Sequence, residues 1–562
     1  MKLVDRALFG WRVACCAVLL LFAAHPIAAG EPPELVFTDV TETAGVGLSD
    51  QLTESAAWGD YDGDGDQDLY LSVNGANKLF RNDGGDLFTD VTDATGVGNT
   101  GFSVGTAFGD LDNDGDSELY VVNFQGGLDA LYRNDGPVGK DGETVFTDVA
   151  FEAGITIDRS SRGMAFVDFD RDGLLDIYVN AIGADILYRN LGGLEFENVA
   201  SAVGIVNITG QGVGVVPTDI DDDGWIDLFT GNRSSDPNRL FANEGGSFGD
   251  ITASAGIDKV GLGMGVLSFD YDNDLDFDLY WTSWPVVPNA LYRNDGPTGE
   301  QGALVFTDVA AASGTLDATG WGISCNAGDV DNDGWMDFYV TNGFSPKTSA
   351  NVLFRNTGLG TFEDATAAVG GGAFDGRGVA FADYDEDGDV DFIVTADASE
   401  PNQLWRNDTD NGNHWIAFEL VGTDGNLSAI GARIEVDTAL GTTVQEVSGG
   451  AGRGSFNSLP VEFGLGSADA IDAVRIRWPN GETESLTGLA IDRYHEIVQL
   501  PEPAAAALCA ASLATLALLR RRSPGQVVAT PLAIRTLPER TSSIISKPRS
   551  SSTTASSFSL LP

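Results

Sequence analysis

Residues 60–68 read Asp-Tyr-Asp-Gly-Asp-Gly-Asp-Gln-Asp, with carboxylates at Asp60, Asp62 and Asp64, a glycine at Gly65 and a further carboxylate at Asp68. Oxygen ligands at alternating positions of a tight loop, with glycine sixth for the sharp turn, suit a hard cation, Ca²⁺ at ~2.3–2.6 Å above all. Carboxylates this close repel one another unless something neutralises them. With the first Asp as position 1, the loop supplies carboxylates at positions 1, 3, 5 and 9, and a backbone carbonyl at position 7 would complete the protein ligands.

The pattern occurs seven times. After the first loop come Asp110, Asp112, Asp114 and Glu118; Asp168, Asp170, Asp172 and Asp176; and Asp219, Asp221, Asp223 and Asp227. The last three are Asp270, Asp272, Asp274 and Asp278; Asp329, Asp331, Asp333 and Asp337; and Asp383, Asp385, Asp387 and Asp391. Seven Ca²⁺ would bring +14 and offset half of these 28 ligand charges. An EF-hand loop ends on a bidentate Glu at position 12. Here that position holds Leu71, Val121, Val179, Thr230, Trp281, Val340 and Val394, most of them strand formers, so the loop joins two β-strands. Leu275 replaces the glycine of the fifth loop, where positive φ is costly for a side chain, and this site is expected to be the weakest.

The elements that must hold these loops repeat with them, at spacings of 50 to 59 residues. A small or apolar run precedes each loop (Ala56-Ala57-Trp58), and an alternating β-rich run follows it (Leu69-Tyr70-Leu71). A third run ends in Arg-Asn or Ala-Asn (Leu79-Phe80-Arg81-Asn82, through Leu404-Trp405-Arg406-Asn407). A fourth begins Phe88-Thr89-Asp90-Val91, with copies at Phe146, Phe196, Phe248, Phe306 and Phe362. No helical period is present. Four short strands per unit, repeated seven times, predict a seven-bladed β-propeller over residues 30–411. Phe37-Thr38-Asp39-Val40 is a fourth-strand motif ahead of the first loop, and the seventh unit lacks its own, so residues 36–41 are expected to complete the last blade.

These units resemble the FG-GAP/VCBS repeat propellers, as in integrin α-subunits, whose Asp-x-Asp-x-Asp-Gly-x-x-Asp hairpins bind Ca²⁺. From Asn413 the pattern changes to longer alternating strands, Trp415–Leu420, Ala432–Val436 and Val474–Pro479, punctuated by Gly449-Gly450-Ala451-Gly452. Asn413-His414-Trp415, Ile430-Gly431-Ala432-Arg433, Phe463-Gly464-Leu465-Gly466 and Arg477-Trp478-Pro479-Asn480-Gly481 resemble the ASPIC/UnbV domain, which places a smaller, sandwich-like β domain at 412–500. Arg453 and Phe456 depart from that pattern. The layout is similar to the cartilage-acidic-protein-like family, which implies an extracellular Ca²⁺-binding interaction protein without established chemistry.

Composition agrees with export and excludes some partners. Asp+Glu 84 against Lys+Arg 31, a net charge of −53, argues against nucleic acid or anionic lipid as the main partner. Lys2, Arg6 and Arg12, an apolar run to Ala24 and the small residues Ala28-Ala29 predict a signal peptide over 1–29. Pro501-Glu502-Pro503, the apolar stretch Ala504–Leu519 and Arg520-Arg521-Arg522 resemble a PEP-CTERM sorting signal over 501–522, which implies membrane proximity at the outer surface of a Gram-negative cell. The Ser/Thr-rich tail 523–562 is expected to be disordered. Cys325 alone lies between the apolar end segments, so no disulfide is expected in the body.

Catalytic signals are absent. The propeller contains no histidine, no Gly-x-Ser-x-Gly occurs, and His414 beside Asp410 and Glu419 reads as a strand-start residue stacked on Trp415. The metals therefore read as structural. Strand 1–2 loops share one propeller face, which leaves the opposite face for a partner, and there Trp281 and Trp284 flank a Pro-rich stretch suited to a protein or sugar ring. The reading is a secreted, monomeric, Ca²⁺-stabilised interaction module for an extracellular protein or glycan. An extracellular polysaccharide-cleaving enzyme using acidic residues of the central channel, or a purely structural matrix component, are the alternatives.

Overall fold

The computed structural model describes residues 34–500, apart from residues 126, 157–159, 206–209, 285–286, 300–301, 345–348, 372–373 and 424, together with 545–546. The expected signal peptide, the sorting-like segment and all but two residues of the tail lie outside the described residues. Among the described residues no helix is long and apolar enough to cross a membrane.

Seven antiparallel four-stranded units form the first domain. Blade 1 consists of Thr53–Gly59, Asp68–Val73, Lys78–Asn82 and Phe88–Asp90, paired in sequence order, and the following blades repeat that order. The seventh takes three strands, Gly376–Ala382, Asp391–Ala396 and Gln403–Asn407, from its own stretch of chain. Its fourth is Phe37–Asp39, in the register Phe37↔Asn407, Thr38↔Arg406 and Asp39↔Trp405. The ring is thus fastened by a strand from the start of the domain laid beside one from its end. Blades 4 and 5 are joined further, because the long second strand of blade 4, Asp227–Pro237, continues past its blade to pair with Val260–Phe269.

The first strands contact one another in cyclic order around the axis. They are buried along nearly their whole length, as in Ser161–Val167 and Gly212–Thr218. That environment explains the small and apolar runs ahead of each acidic loop. Four residues before the end of each strand stand Ser55, Gly105, Gly163, Gly214, Gly265, Ser324 and Gly378, a ring of the smallest side chains. A Cβ on Gly163 would lie 2.1 Å from the Val213 carbonyl oxygen of the next blade. Between neighbouring blades the layers are aromatic and aliphatic: Trp58 stacks on Tyr384 with ring centroids 6.0 Å apart, and Tyr280 packs against Phe338 at 4.6 Å.

The second domain is a sandwich of two sheets. One orders Val461–Gly466, His414–Val421 and Tyr494–Val498, the last two parallel; the other orders Gly441–Glu446, Arg433–Thr438, Ile471–Arg477 and Thr483–Leu486. Ile416, Phe418, Ile434, Val436, Phe463, Ile476 and Trp478 from the two sheets share one buried core. That core is continuous with blades 2 and 3 of the propeller.

The glycine stretch after Gly449 is not the simple punctuation between strands that its composition suggests. Residues 449–457 leave the sandwich and fill the propeller axis. Gly449 O accepts from Phe166 N (2.8 Å), Gly452 N donates to Val266 O (2.7 Å), Thr106 N donates to Gly454 O (3.1 Å), and Phe456 N donates to Ala56 O (2.9 Å). Ser455 Oγ meets Ala56 N, Arg453 N meets Ser324 Oγ, and Asn457 Oδ1 accepts from Phe381 N. A Cβ on Gly214 would lie 2.3 Å from Gly452 O. The ring of small residues therefore makes room for a plug that satisfies the backbone groups facing the axis.

Candidate metal sites

Each first strand ends in an acidic loop, and the loop folds around its own first carboxylate. In blade 1, Asp60 Oδ1 accepts from Gly63 N (2.7 Å) and Asp64 N (3.2 Å), while Oδ2 accepts from Gly65 N (2.9 Å). Asp64 Oδ1 accepts from Asp66 N at 3.0 Å. Asp68, the first residue of the next strand, accepts from Tyr61 N (3.1 Å) and Asn82 N (2.8 Å). Glu118 does the same work in blade 2 with its extra methylene, accepting from Leu111 N at 2.8 Å and more loosely from Asn134 N at 3.4 Å.

Carboxylates at positions 1, 3 and 9 converge. In loops 1 to 5 these are Asp60, Asp62 and Asp68; Asp110, Asp112 and Glu118; Asp168, Asp170 and Asp176; Asp219, Asp221 and Asp227; and Asp270, Asp272 and Asp278. Each trio brings its ligand oxygens within 4.8 Å of one another, and two further groups do likewise. Position 5 is turned partly to its own backbone, as Asp64 and Asp387 show. Position 3 carries the clearest sign of a missing partner: one oxygen each of Asp62, Asp112, Asp170, Asp272 and Asp385 is buried with no hydrogen bond. A buried oxygen of that kind is costly without a partner, and an all-oxygen donor set supplies what a hard cation takes. These groups could hold metal ions.

Electrostatics agree. Burial pushes Asp68 and Glu118 up to about 9, with neighbouring carboxylates adding to the effect. Burial likewise raises Asp168, Asp219 and Asp270 to about 7 and Asp62 and Asp110 to about 6. Without a cation these loops hold protons near neutrality.

The backbone of the loops holds two lessons. Leu275 adopts φ 76°, the conformation that Gly65 and its counterparts adopt freely, and its N–H still reaches Asp270 Oδ2 at 2.9 Å. The loop is preserved despite the side chain. Position 4 is also left-handed in all seven loops, at Gly63, Asn113, Arg171, Asp222, Asn273, Asn332 and Glu386. The three asparagines were a readable signal for it.

The recurring Asn at the end of each third strand is a functional residue that the pattern displays without explaining. Asn134 Nδ2 donates to Ser117 O in its own loop and to Tyr61 O in the loop of the preceding blade (3.0 Å). Asn190 bridges Leu175 O and Leu111 O, Asn243 bridges Ile226 O and Phe169 O, and Asn294 bridges Phe277 O and Ile220 O. Asn356, Asn407 and Asn82 continue the series to Tyr271, Val330 and Tyr384. Every acidic loop is thereby stapled to its neighbour.

The sandwich domain lies over this loop face. Leu427 N donates to Asn113 Oδ1 (3.0 Å), Asn426 N to Gly173 O, Arg433 to Leu275 O, and Asn411 and Asn413 to Asp331 O. Arg477 pairs with Asp219 and reaches Asp222 at 2.8 Å, and Tyr494 Oη donates to Asp383 Oδ2 at 2.8 Å. His414 is bonded through Nδ1 to Asp492 (3.0 Å), not to Asp410 or Glu419. Loops 3 and 6 carry internal counter-charges, Arg189 on Asp170 (2.6 Å) and Arg355 on Asp331.

Trp281 is not available to a partner. Its ring is wholly buried in a core that includes Phe277, Leu279 and Tyr292, because the strand Asp278–Ser283 is covered on both faces. Trp284, three residues on, is half-buried on the face away from the metal loops, 5.4 Å from Trp321 and 5.8 Å from Phe344.

Family models match both regions: an FG-GAP-like repeat at residues 60–121, 110–179, 168–230, 219–281 and 344–394, and ASPIC and UnbV at 422–504. The chain carries FG-GAP-like repeats and an ASPIC and UnbV domain. It is homologous to cartilage acidic protein 1. The Mus musculus protein is 28% identical over 383 residues, covering 63% of this chain and 57% of the relative. The Homo sapiens protein is 28% identical over 353 residues, covering 58% and 51%. The chain thus spans little more than half the length of the curated relatives it matches. Among solved structures, an Agrocybe aegerita lectin that recognises non-reducing terminal N-acetylglucosamine aligns over 67% of this chain and 94% of its own at 15% identity, with a TM-score of 0.35.

Proposed function

We propose that this protein is a secreted, cell-envelope-associated interaction module, a propeller stabilised by up to seven Ca²⁺, that binds an extracellular protein or glycan on the face away from its metal loops. One observation carries the reading: the ASPIC and UnbV domain covers the FG-GAP-like loops, with Leu427 on Asn113, Arg433 on Leu275 and Tyr494 on Asp383, and so leaves the opposite face for a partner. Buried position-3 oxygens without partners support the cations. A structural role for them fits loops whose carboxylates at positions 1 and 9 are tied to backbone N–H groups of the loop itself and of the third strand.

The polysaccharide-cleaving alternative would draw on acidic residues of the channel. Glu54, which faces that channel, is buried and ion-paired with Arg453 of the plug. That supports binding over chemistry, and turnover of a polysaccharide by the purified protein would reverse the choice. The test is an array of extracellular glycans and proteins probed with and without EGTA, alongside a metal count and a melting curve. Binding to at least one array member and a Tm lowered by chelation are expected. A blank array would leave the purely structural matrix role in its place.

A further inference from the structure

The end of the propeller axis away from the metal loops is divided chemically. One level below the start of the first strands, blades 4 to 6 contribute Val213, Met264 and Ile323, which pack together with Trp284. On the other side stand Glu54 and two arginines, Arg162 and Arg377, all buried. Arg453 rises through the middle from the plug and is held by Glu54. Arg233, from the end of the second strand of blade 4, joins them from the rim.

In a chain of net charge −53, four guanidiniums at one opening are out of keeping with the surface around them. All four lie over rings: Arg162 over Phe124 (4.5 Å to the centroid), Arg233 over Trp284 (4.2 Å), Arg377 over Phe344 (3.6 Å) and, more distantly, Arg453 over Phe344 (5.7 Å). Stacking fixes a guanidinium plane and leaves its N–H edge free to donate. The facing carboxylates are few. Glu54 takes Arg453, and Asp375 and Asp397 take Arg377, with Glu400 bonded to the Asp375 backbone. Arg162 is 7% exposed and has neither an ion pair nor a side-chain hydrogen bond among the described residues. Arg233 has no ion pair there either. Burial, then the charges of Arg453 and Arg233, push Arg162 down to about 10. A buried guanidinium without a partner is destabilising to the fold that carries it, and such a group persists where a ligand supplies the missing charge.

We propose that this opening binds an acidic polysaccharide, taking the carboxylate of a uronic acid residue on Arg162 and Arg233 while the partly exposed ring of Trp284, backed by the buried Val213, Met264 and Ile323, receives the C–H face of the sugar. The inference rests on the reading of the chain as an interaction module. A uronate has the required two-sidedness, with charge at one edge and hydrocarbon on one face. A planar carboxylate also matches the paired N–H edge of an arginine. Trp284 lies against Arg233 and reports on the site.

The experiment titrates Ca²⁺-loaded full-length protein with a galacturonate hexamer, a neutral galactose hexamer and hexa-aspartate, following tryptophan fluorescence and heat. The uronate is expected to bind, with affinity falling as salt rises, and the neutral sugar is not. Arg162→Met and Arg233→Met are each expected to weaken uronate binding by about tenfold or more, the loss typical of a charge-assisted hydrogen bond. Arg162→Lys, which keeps the charge but not the fork, is expected to recover only part of it. Because Arg162 is buried and has no ion pair among the described residues, Arg162→Met is expected to melt no lower than the parent. Equal binding of the neutral sugar, unchanged uronate affinity in both methionine variants, hexa-aspartate binding as tightly as the uronate, or a collapse of Tm in Arg162→Met would each overturn the proposal. A protein that binds other members of the glycan and protein array but not the uronate would refute this site while leaving the interaction module standing.

Discussion

Replacing Phe456 with alanine tests whether the plug holds the molecule together. Phe456 is 2% exposed at the axis, its ring 5.9 Å from that of Phe166 and tilted at 62° to it. Its backbone hydrogen bonds, from N to Ala56 O (2.9 Å) and from Trp58 N to its own O (3.3 Å), survive the change. The perturbation is therefore confined to the ring and to the cavity it leaves. Truncating a buried Phe to Ala typically costs about 3–5 kcal/mol, the upper end applying where the surroundings cannot collapse. Backbone from several blades frames this site, so the upper half of that range is expected. Phe456→Leu keeps most of the volume and should cost less than about 1.5 kcal/mol. Urea unfolding in saturating Ca²⁺ measures both, and limited proteolysis should cut Phe456→Ala between residues 408 and 413 before the parent, as the sandwich loosens from the ring. If Phe456→Ala unfolded at the parent's urea concentration with the same slope, the plug would be an ornament of the channel and the reasoning would fail.

Three other outcomes follow from the loops and their contacts. Burial raises Asp68 and Glu118 to about 9, so the metal-free folded protein keeps protons that the unfolded chain releases from about pH 4 upward. Its Tm should fall as pH rises from 5 to 8, while in saturating Ca²⁺, which holds the same carboxylates charged, Tm should stay nearly level over that window; parallel curves would remove the cations from these sites. Asn190→Ala leaves Leu111 O and Leu175 O unpaired in a buried position and should cost about 2–4 kcal/mol by chemical denaturation, whereas the same change at the exposed Asn480 should be nearly silent. Arg477→Ala frees Asp219 from its counter-charge, so calorimetry should find one Ca²⁺ bound more tightly while the sandwich domain becomes more sensitive to protease.

Much of the ring was legible because each unit writes its pattern locally. Carboxylates at fixed positions, the strand runs on either side and the displaced Phe37-Thr38-Asp39 motif all lie within one unit's length of chain, and the pairing of Phe37 with Asn407 follows from counting motifs. What stayed hidden depends on partners far away in the chain. The Asn at each third strand is visible as a repeat, yet its partner is a carbonyl in another blade, and a carbonyl leaves no mark in a sequence. Arg453 and Phe456 appear only as departures from a domain pattern, because the groove that receives them is built from the backbone of the other domain. Trp281 and Trp284 look alike in the sequence, but the first lies in a strand buried on both faces and the second just past its end, where the ring is half-buried. Left-handed position 4 was written in Asn113, Asn273 and Asn332 and obscured by Arg171 and Glu386.

The chain of asparagine staples has a bearing on how the molecule comes to be assembled. Six of its joints link residues 73 to 85 apart, from Asn134 with Tyr61 to Asn356 with Tyr271, and each can form as soon as two adjacent blades have emerged. The seventh, Asn82 with Tyr384, spans 302 residues. By loop-closure entropy that joint costs only about 1 kcal/mol more than the others. Its cost is in time: the strand Phe37–Asp39, synthesised first, must wait for Gln403–Asn407, which is synthesised last among the blades. Until then both edges of a six-bladed arc stand open to the solvent and to other chains. A protein folding in this order has most to gain from cations that firm each blade separately, before the ring has any other means of keeping its shape.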